Sequence, residues 1–232
     1  KPELADQTSI GYARNFKNNT YELGAELYYK RMQNQLDYKD GTNINTISDV
    51  ESALLYGVGR AYGFEFLAKK KIGLFSGWIS YTLSKTERKI DGINEGNWYN
   101  AKQDRTHDVS IVTILELNSK WTLSGVFVYS TGNAVTFPTG KYSLGEQTIY
   151  QYANRNANRM PDYHRLDLSA TYENKNKKKN IGSWNFSLYN VYGRENAYQI
   201  TFQDDPSDNS KTQIIQTALF RWVPSITYNF KF

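Results

Sequence analysis

The 232-residue sequence predicts an all-β chain folded as an antiparallel transmembrane β-barrel. Three observations predict this class: apolar and polar residues alternate, the alternating runs are long, and the connections alternate between short and long. In residues 21–31, the odd positions up to Tyr29 are apolar or aromatic, whereas Glu22, Glu26 and Lys30 fall between them. A period of two puts the two sets on opposite faces of a strand.

Nine segments carry this alternation and are the predicted strands. They are residues 9–16, 21–36, 58–69, 76–88, 106–117, 120–135, 163–173, 183–200 and 213–232. Several exceed the ~5–6 residues usual in soluble sheets, and they reach the ~9–11 residues with which a tilted strand crosses a bilayer.

The apolar and aromatic positions of these segments are predicted to face outward. In chain order they include Tyr21, Leu23, Leu27, Phe64, Phe66, Ile79, Tyr81, Phe127, Tyr129, Leu166, Leu168, Tyr172, Trp184, Phe186, Ile226, Tyr228 and Phe230. Rings near strand ends are typical of the aromatic girdles that meet lipid headgroups. An aromatic-rich β-sandwich is the soluble alternative, and the length of the strands disfavours it.

The predicted connections alternate in length. Residues 17–20, 70–75, 118–119 and 174–182 are short, whereas 37–57, 89–105, 136–162 and 201–212 are long. Outer-membrane barrels have short periplasmic turns and long outer loops, so the pattern favours that architecture.

Composition excludes several classes. Hydrophobic residues make up 39% and aromatic residues 15% of the chain, and mean hydropathy is −0.67. The aromatic content excludes global disorder, and the low hydropathy excludes a helical membrane protein. The chain has no cysteine, which excludes disulfides and thiolate metal sites.

Candidates for chemistry are weak, and the sequence predicts no catalytic residue, metal site or cofactor. His107 and His164 each begin a predicted strand. Asp108 follows His107 directly and therefore points to the opposite face, so the two cannot act as an acid–base pair. Both histidines are interpreted as polar residues of the barrel wall, and two isolated histidines make a poor zinc site. Residues 204–209 are oxygen-rich but match no calcium spacing. The lysines at 69–71 and 175–179 form no continuous patch, so nucleic-acid binding is not expected.

Several stretches carry a family resemblance. They are the alternating aromatic end from Ile226 to Phe232, Trp78-Ile-Ser-Tyr-Thr-Leu-Ser-Lys-Thr, Asp104-Arg-Thr-His-Asp-Val-Ser, Tyr129-Ser-Thr-Gly-Asn-Ala-Val-Thr-Phe-Pro-Thr-Gly, Arg159-Met-Pro-Asp-Tyr-His-Arg-Leu-Asp-Leu-Ser and Asn185-Phe-Ser-Leu-Tyr-Asn-Val-Tyr. Together they resemble the C-terminal barrel of TonB-dependent outer-membrane receptors, particularly those of Bacteroidota. The resemblance covers most of the chain.

The resemblance implies a 22-stranded barrel closed by an N-terminal plug domain in the outer membrane of a Gram-negative bacterium. Residues 1–232 would then be the C-terminal portion of that barrel, with the plug outside this chain. It also implies uptake of a scarce nutrient with energy coupled through TonB, and no enzymatic activity. The implied partners are outer-membrane lipid, the plug domain, TonB through the missing N-terminal part, the barrel-assembly machinery and a possible surface lipoprotein.

Rings and cations in the long loops are the candidate ligand contacts, since function on a rigid scaffold tends to sit on its loops. They are Trp98, Tyr99, Arg105, Tyr142, Tyr152, Arg155 and Arg159. The resemblance further marks Tyr228, Phe230 and Phe232 as a barrel-assembly signal. The polar inward residues Glu22, Glu26, Glu65, Arg165 and Asp167 are expected to face the lumen or the plug.

The substrate stays open between a siderophore, a vitamin, a glycan and a peptide. The alternative function is a small self-contained outer-membrane barrel that acts as a structural or adhesive protein or as a passive pore. An outer-membrane lipase or protease would require a nucleophile–base pair, which the sequence does not offer.

Overall fold

The computed structural model of the protein describes residues 2–42, 49–145, 147–152, 154–175 and 181–231. Its strands are β1 (Leu4–Phe16), β2 (Tyr21–Tyr38), β3 (Leu54–Lys70), β4 (Phe75–Ile90), β5 (Tyr99–Asn100), β6 (His107–Glu116), β7 (Trp121–Ser130), β8 (Ala134–Val135), β9 (Pro138–Leu144), β10 (Gln147–Tyr152), β11 (Asn158–Arg159), β12 (Tyr163–Lys175), β13 (Ile181–Tyr189), β14 (Gln199–Asp205), β15 (Asp208–Thr217) and β16 (Val223–Lys231). Short 3-10 helices span Glu51–Ala53 and Asn94–Gly96. Within the described ranges, no helix has the length and apolarity to cross a membrane.

One antiparallel sheet forms the body of the molecule. Its strand order is β1-β2-β3-β4-β6-β7-β12-β13-β16, with β5 paired to β4. Each of the nine predicted strands corresponds to one strand of this order, so the all-β antiparallel class is confirmed. In the part of the chain that the structure describes, β1 and β16 each have a single neighbour, and the sheet does not close on itself.

Three predicted strands were too long. The strand predicted over 120–135 ends at Ser130, and the one predicted over 183–200 ends at Tyr189. Asn190 adopts a left-handed φ of 54° and is buried, which turns the chain out of the sheet. The segment predicted over 213–232 is two strands, because β15 pairs with β14 and only β16 joins the main sheet.

Additional hairpins lie inside two of the predicted long connections. Strands β9 and β10 pair within 136–162, and β14 and β15 pair around the connection predicted at 201–212. Of the predicted short connection 174–182, residues 176–180 lie outside the described residues.

The register separates an apolar from a polar face. Leu27 lies opposite Phe64, and Phe64 opposite Leu83, on the outward face. The apolar side chains of this face are exposed: Ile10, for example, is 75% exposed. The five inward residues named above, from Glu22 to Asp167, lie on the other face, as the alternation predicted. An outward apolar surface over most of the strand length is typical of a wall in contact with lipid.

A small apolar core sits at one end of the sheet. Ile90, Ile93 and Tyr99 are buried there, and Leu55 packs against them. The core holds the segment that follows β4 against the first residues of β3.

Candidate functional site

The four long connections leave the same end of the sheet, which we call the outer end. The first outer loop is residues 39–53, the second 91–106, the third 131–162 and the fourth 190–222. Neighbouring strands of the main sheet run antiparallel, so every second connection lies at the same end of the sheet. The short turns lie at the opposite end, as the alternation predicted.

Tyr99 lies in the buried core of the second loop and is 4% exposed. Its hydroxyl donates to Asp37 Oδ2 at 3.0 Å. Burial, and next the negative charge of Asp37, raise the pKa of the Tyr99 phenol above its usual value. Tyr99 therefore stays a protonated donor that joins the second loop to the end of β2.

Arg155 joins the third loop to the same carboxylate. Its guanidinium lies 3.8 Å from Asp37 Oδ1 and 3.3 Å from Asp40 Oδ1, and it donates to the Tyr38 carbonyl. Because Tyr99 also binds Asp37, this aspartate connects three segments of chain. The predicted residues Tyr99 and Arg155 are thus brought together through a residue that was not predicted.

Asn100 and Asn156 form a second link between the second and third loops. The amide of Asn156 donates to the Asn100 carbonyl at 2.8 Å, and the amide of Asn100 donates to the Asn156 carbonyl at 3.3 Å. Asn156 is buried with a left-handed φ of 53°. Reciprocal bonds of this kind fix the two loops relative to each other.

Arg159 forms a further link between the second and third loops. It is ion-paired with the carboxylate of Asp104, which is 1% exposed, and it also donates to the Asp104 carbonyl at 2.9 Å. Asp104 Oδ1 accepts a further bond from the Thr86 amide at 2.5 Å. A buried carboxylate needs such partners, because burial without them costs several kcal/mol, about 3–5 when one partner is removed.

The remaining predicted residues lie nearer the surface. Arg105 donates to Ser130 Oγ at 3.4 Å, and Trp98 lies against Arg60 with 4.2 Å between the guanidinium carbon and the ring centre. Tyr142 and Tyr152 are 56% and 58% exposed on the β9–β10 hairpin. These two rings are accessible to a molecule that approaches from outside.

The fourth loop is attached to the third. Lys141 Nζ lies 2.6 Å from Asp204 Oδ1 and donates to the Lys211 carbonyl at 2.7 Å. Phe137 and Phe202 pack edge to face at 5.1 Å. The hairpins β9–β10 and β14–β15 are therefore held side by side.

A cavity of about 320 Å³ lies between the third and fourth loops. Its lining combines rings with a cation and polar groups, among them Lys102, Thr136, Phe137, Tyr152, Tyr198 and Phe202. Mixed aromatic and polar lining is typical of small-molecule sites. Of the predicted ligand residues, Tyr152 is the one that lines it.

The residues considered for chemistry make structural contacts. His107 Nδ1 is 2.9 Å from the Tyr81 hydroxyl, and His164 Nδ1 is 2.7 Å from the Tyr192 hydroxyl. Hydrogen bonds from Ser207 lower the pKa of the Asp205 carboxyl in the acidic turn. Among the residues that the structure describes, no group of three or more His, Asp or Glu side chains is arranged to hold a metal ion.

Sequence reasoning missed Asp37, Asp104 and Asn156, which connect the loops. Asp104 stands at the head of a stretch that carried the family resemblance. Its burial depends on Arg159, which lies 55 residues away in the chain, so composition and spacing give no signal for it.

Comparison with known proteins decides the family. Residues 1–191 match the family model described as TonB dependent receptor-like, beta-barrel. The chain belongs to this family. It is accordingly an outer-membrane barrel chain of a Gram-negative bacterium, in a family of receptors and not of enzymes. No curated protein matches it.

Two solved structures are similar in fold. The ferric-catecholate import receptor Fiu of Escherichia coli K12, in a closed form, has a TM-score of 0.59 and 15% identity over 99% of this chain. The outer-membrane ferripyoverdine receptor of Pseudomonas aeruginosa, bound to ferripyoverdine, has a TM-score of 0.64 and 13% identity over 100% of this chain. The chain spans 28% of the length of each. The narrower resemblance to Bacteroidota receptors stays a prediction.

Proposed function

We propose that the protein to which this chain contributes takes up a scarce nutrient across the outer membrane, with energy coupled through TonB. The observation that supports this most is the family match over residues 1–191. This chain would supply wall and outer loops and would perform no chemistry. Residues 1–232 would form the C-terminal portion of the barrel, and the plug would come from outside them.

The outer loops would hold the ligand. Tyr142 and Tyr152 would contact it, because they are exposed and Tyr152 lines the cavity between the third and fourth loops. The other candidates, Tyr99, Arg105, Arg155 and Arg159, would position the loops through the contacts described above. Trp98, which lies against Arg60, would contribute through the placement of the second loop.

A ferric siderophore is the first substrate class to test. The two similar structures are a ferric-catecholate receptor and a ferripyoverdine receptor, although at 13–15% identity they support the fold alone. Vitamins, glycans and peptides remain substrate classes to test as well, because the cavity lining of rings, amides and one lysine suits each of them.

The polar face of β2 and β3 would contact the plug. Glu26 lies directly opposite Glu65, and within the described residues neither carboxylate has a cationic partner. Like charges in a cross-strand pair are destabilising unless a cation approaches them. A basic side chain of a plug domain would supply that cation.

The remaining partners follow from the same proposal. Outer-membrane lipid would cover the outward face, and the barrel-assembly machinery would recognise Tyr228, Phe230 and Phe232. TonB would act on the part of the protein that precedes this chain. A surface lipoprotein above the outer loops would be a further partner.

Uptake by cells tests the proposal. Cells that lack the gene for the whole protein would be compared with complemented cells for uptake of radiolabelled ferric siderophores, cobalamin, oligosaccharides and peptides. We expect the loss of one class, restored by complementation and abolished by a protonophore or by deletion of TonB. Uptake that persists without the proton gradient would favour the passive-pore alternative and contradict the proposal.

A further inference from the structure

Basic side chains gather on the outward face where β2, β3 and β4 leave the apolar part of the sheet. Arg31 lies opposite Arg60, and Arg60 lies opposite Glu87. Lys85 and Lys89 flank Glu87 on the same side of β4. This outer basic cluster therefore faces away from the lumen, on the side that lipid covers.

The height of the cluster matches the lipid headgroups. From Tyr21 to Tyr29 the outward residues of β2 are apolar or aromatic. That stretch is about 27 Å long at ~3.4 Å per residue, which is about 20 Å of height at the usual strand tilt. The apolar band of outer-membrane barrels is ~25 Å tall, so Arg31 lies at its outer boundary.

One acidic residue orders half of the cluster. Glu87, 8% exposed, accepts from Arg60 Nε at 2.8 Å and lies 3.2 Å from Lys85 Nζ. Arg31 and Lys89 have no ion pair among the described residues and are exposed. Asp6 lies directly opposite Arg31 in the register of β1 and β2. Four cations thus stand against two carboxylates, which leaves the cluster a net positive charge of two for an external anion.

An apolar groove adjoins the cluster directly below. Its volume is about 690 Å³, and its outward lining includes Ile10, Leu27, Tyr29, Tyr62, Phe64 and Lys85. The groove and the outer basic cluster are continuous, because Lys85 belongs to both. A molecule that fits must combine acyl chains with an anionic head.

Strands β6 and β12 lack this arrangement in their described residues. The outward residues of β6 and β12 end in His107 and His164, whose rings bind the hydroxyls of Tyr81 and Tyr192. The positive charge on the outward face of β2–β4 is therefore not repeated on β6 and β12.

We propose that the outward face of β2–β4 is a binding site for a phosphorylated glycolipid of the outer leaflet. Its phosphate lies between Arg31, Arg60 and Lys89, and its acyl chains lie in the groove. Arginine binds phosphate through two parallel hydrogen bonds, and basic residues near a membrane surface attract anionic headgroups. The site is separate from nutrient uptake, so either proposal can fail without the other.

The test is a lipid titration of the whole purified protein followed by native mass spectrometry. The probes are bisphosphorylated lipid A and the same lipid after removal of its phosphates. The variant R31Q/K89Q removes the two unpaired cations and leaves the Arg60–Glu87 pair intact. The control K30Q/K69Q removes two lysines from the opposite face of β2 and β3, Lys30 one residue before Arg31 and Lys69 opposite Glu22 near the short turn.

We expect R31Q/K89Q to weaken binding of the bisphosphorylated lipid about tenfold. The control should stay within about twofold of the unchanged protein, because it keeps every cation of the outer basic cluster. Heat-dependent migration on gels verifies that each variant is folded. Equal binding of the dephosphorylated lipid, or equal losses in R31Q/K89Q and K30Q/K69Q, would overturn the proposal.

Discussion

The buried carboxylate of Asp104 shows how single residues hold the outer loops. Its partner Arg159 comes from a different loop, and the carboxylate is almost inaccessible to water. Removing the Arg159 side-chain charge leaves the buried Asp104 carboxylate without its cation, so Arg159→Met should lower the free energy of unfolding by about 3 kcal/mol. Unfolding of the refolded protein in guanidinium chloride, followed by tryptophan fluorescence, measures this change in the free energy of unfolding.

Arg221 provides the control for Arg159. It pairs with Glu195 at 3.0 Å, but its side chain is 71% exposed. Arg221→Met should therefore change the free energy of unfolding by no more than about 0.5 kcal/mol. Equal effects of the two substitutions would show that burial of Asp104 does not determine the energy of its pair.

Gly132 occupies a position that admits no side chain. A Cβ there would lie 1.7 Å from the Met160 carbonyl oxygen, whereas a Cβ at Gly140, in the same loop, would meet nothing closer than 3.8 Å. Gly132→Ala should displace the third loop and lower the melting temperature by several degrees, and Gly140→Ala should not. Differential scanning calorimetry tests the pair, and an unchanged melting temperature in Gly132→Ala would contradict this account.

At the scale of residues, the sequence allowed the selection of loop rings and cations but not their orientation. Tyr99 and Tyr152 are both loop tyrosines, yet one is buried and the other exposed. The difference arises because Ile90, Ile93 and Leu55 converge on Tyr99 through contacts between distant segments. A composition pattern carries no information about such convergence.

At the scale of elements, alternation predicted which segments form the wall. It succeeded because a half-buried strand must place every second residue on the same face. It extended three strands too far, since the hairpin β14–β15 and the turn at Asn190 carry similar apolar residues. The period of two is shared by any strand, whether it joins the main sheet or a loop hairpin.

The hairpin β14–β15 depends on its contact with the third loop. Lys141→Met removes the bond to Asp204, so proteinase K should cleave the fourth loop on intact cells several-fold faster. The control Lys211→Met alters a lysine whose side chain is 72% exposed and leaves its carbonyl in place. Mass spectrometry of the fragments locates the cut, and equal cleavage rates would refute the attachment.

The last strand is where the assembly signal is predicted. Tyr228 packs against Trp184 with 4.6 Å between ring centres and stacks with Phe230, on the outward face. Phe232 lies outside the described residues. Phe232→Ser should slow insertion into the outer membrane, as pulse-chase labelling would show, whereas Asn229→Ser on the polar face should not. An unchanged yield of Phe232→Ser would argue against the signal.

At the scale of the whole molecule, the sheet is a wall without a closed interior. Its two edge strands, β1 and β16, each pair on one side in the described residues, and the chain spans 28% of the length of the two similar receptors. Under the proposed function, further strands from outside the chain would pair with these two edges and a plug would fill the interior. A receptor of that size would also supply cations for Glu26 and Glu65.

The intact mass of the protein that carries this sequence, extracted from its native outer membrane, tests the central claim most directly. We predict a single polypeptide several times heavier than the 26.8 kDa of this chain. A mass near 26.8 kDa with a co-purifying N-terminal piece would indicate a split receptor. The same mass without such a piece would contradict the receptor account and leave a small self-contained barrel.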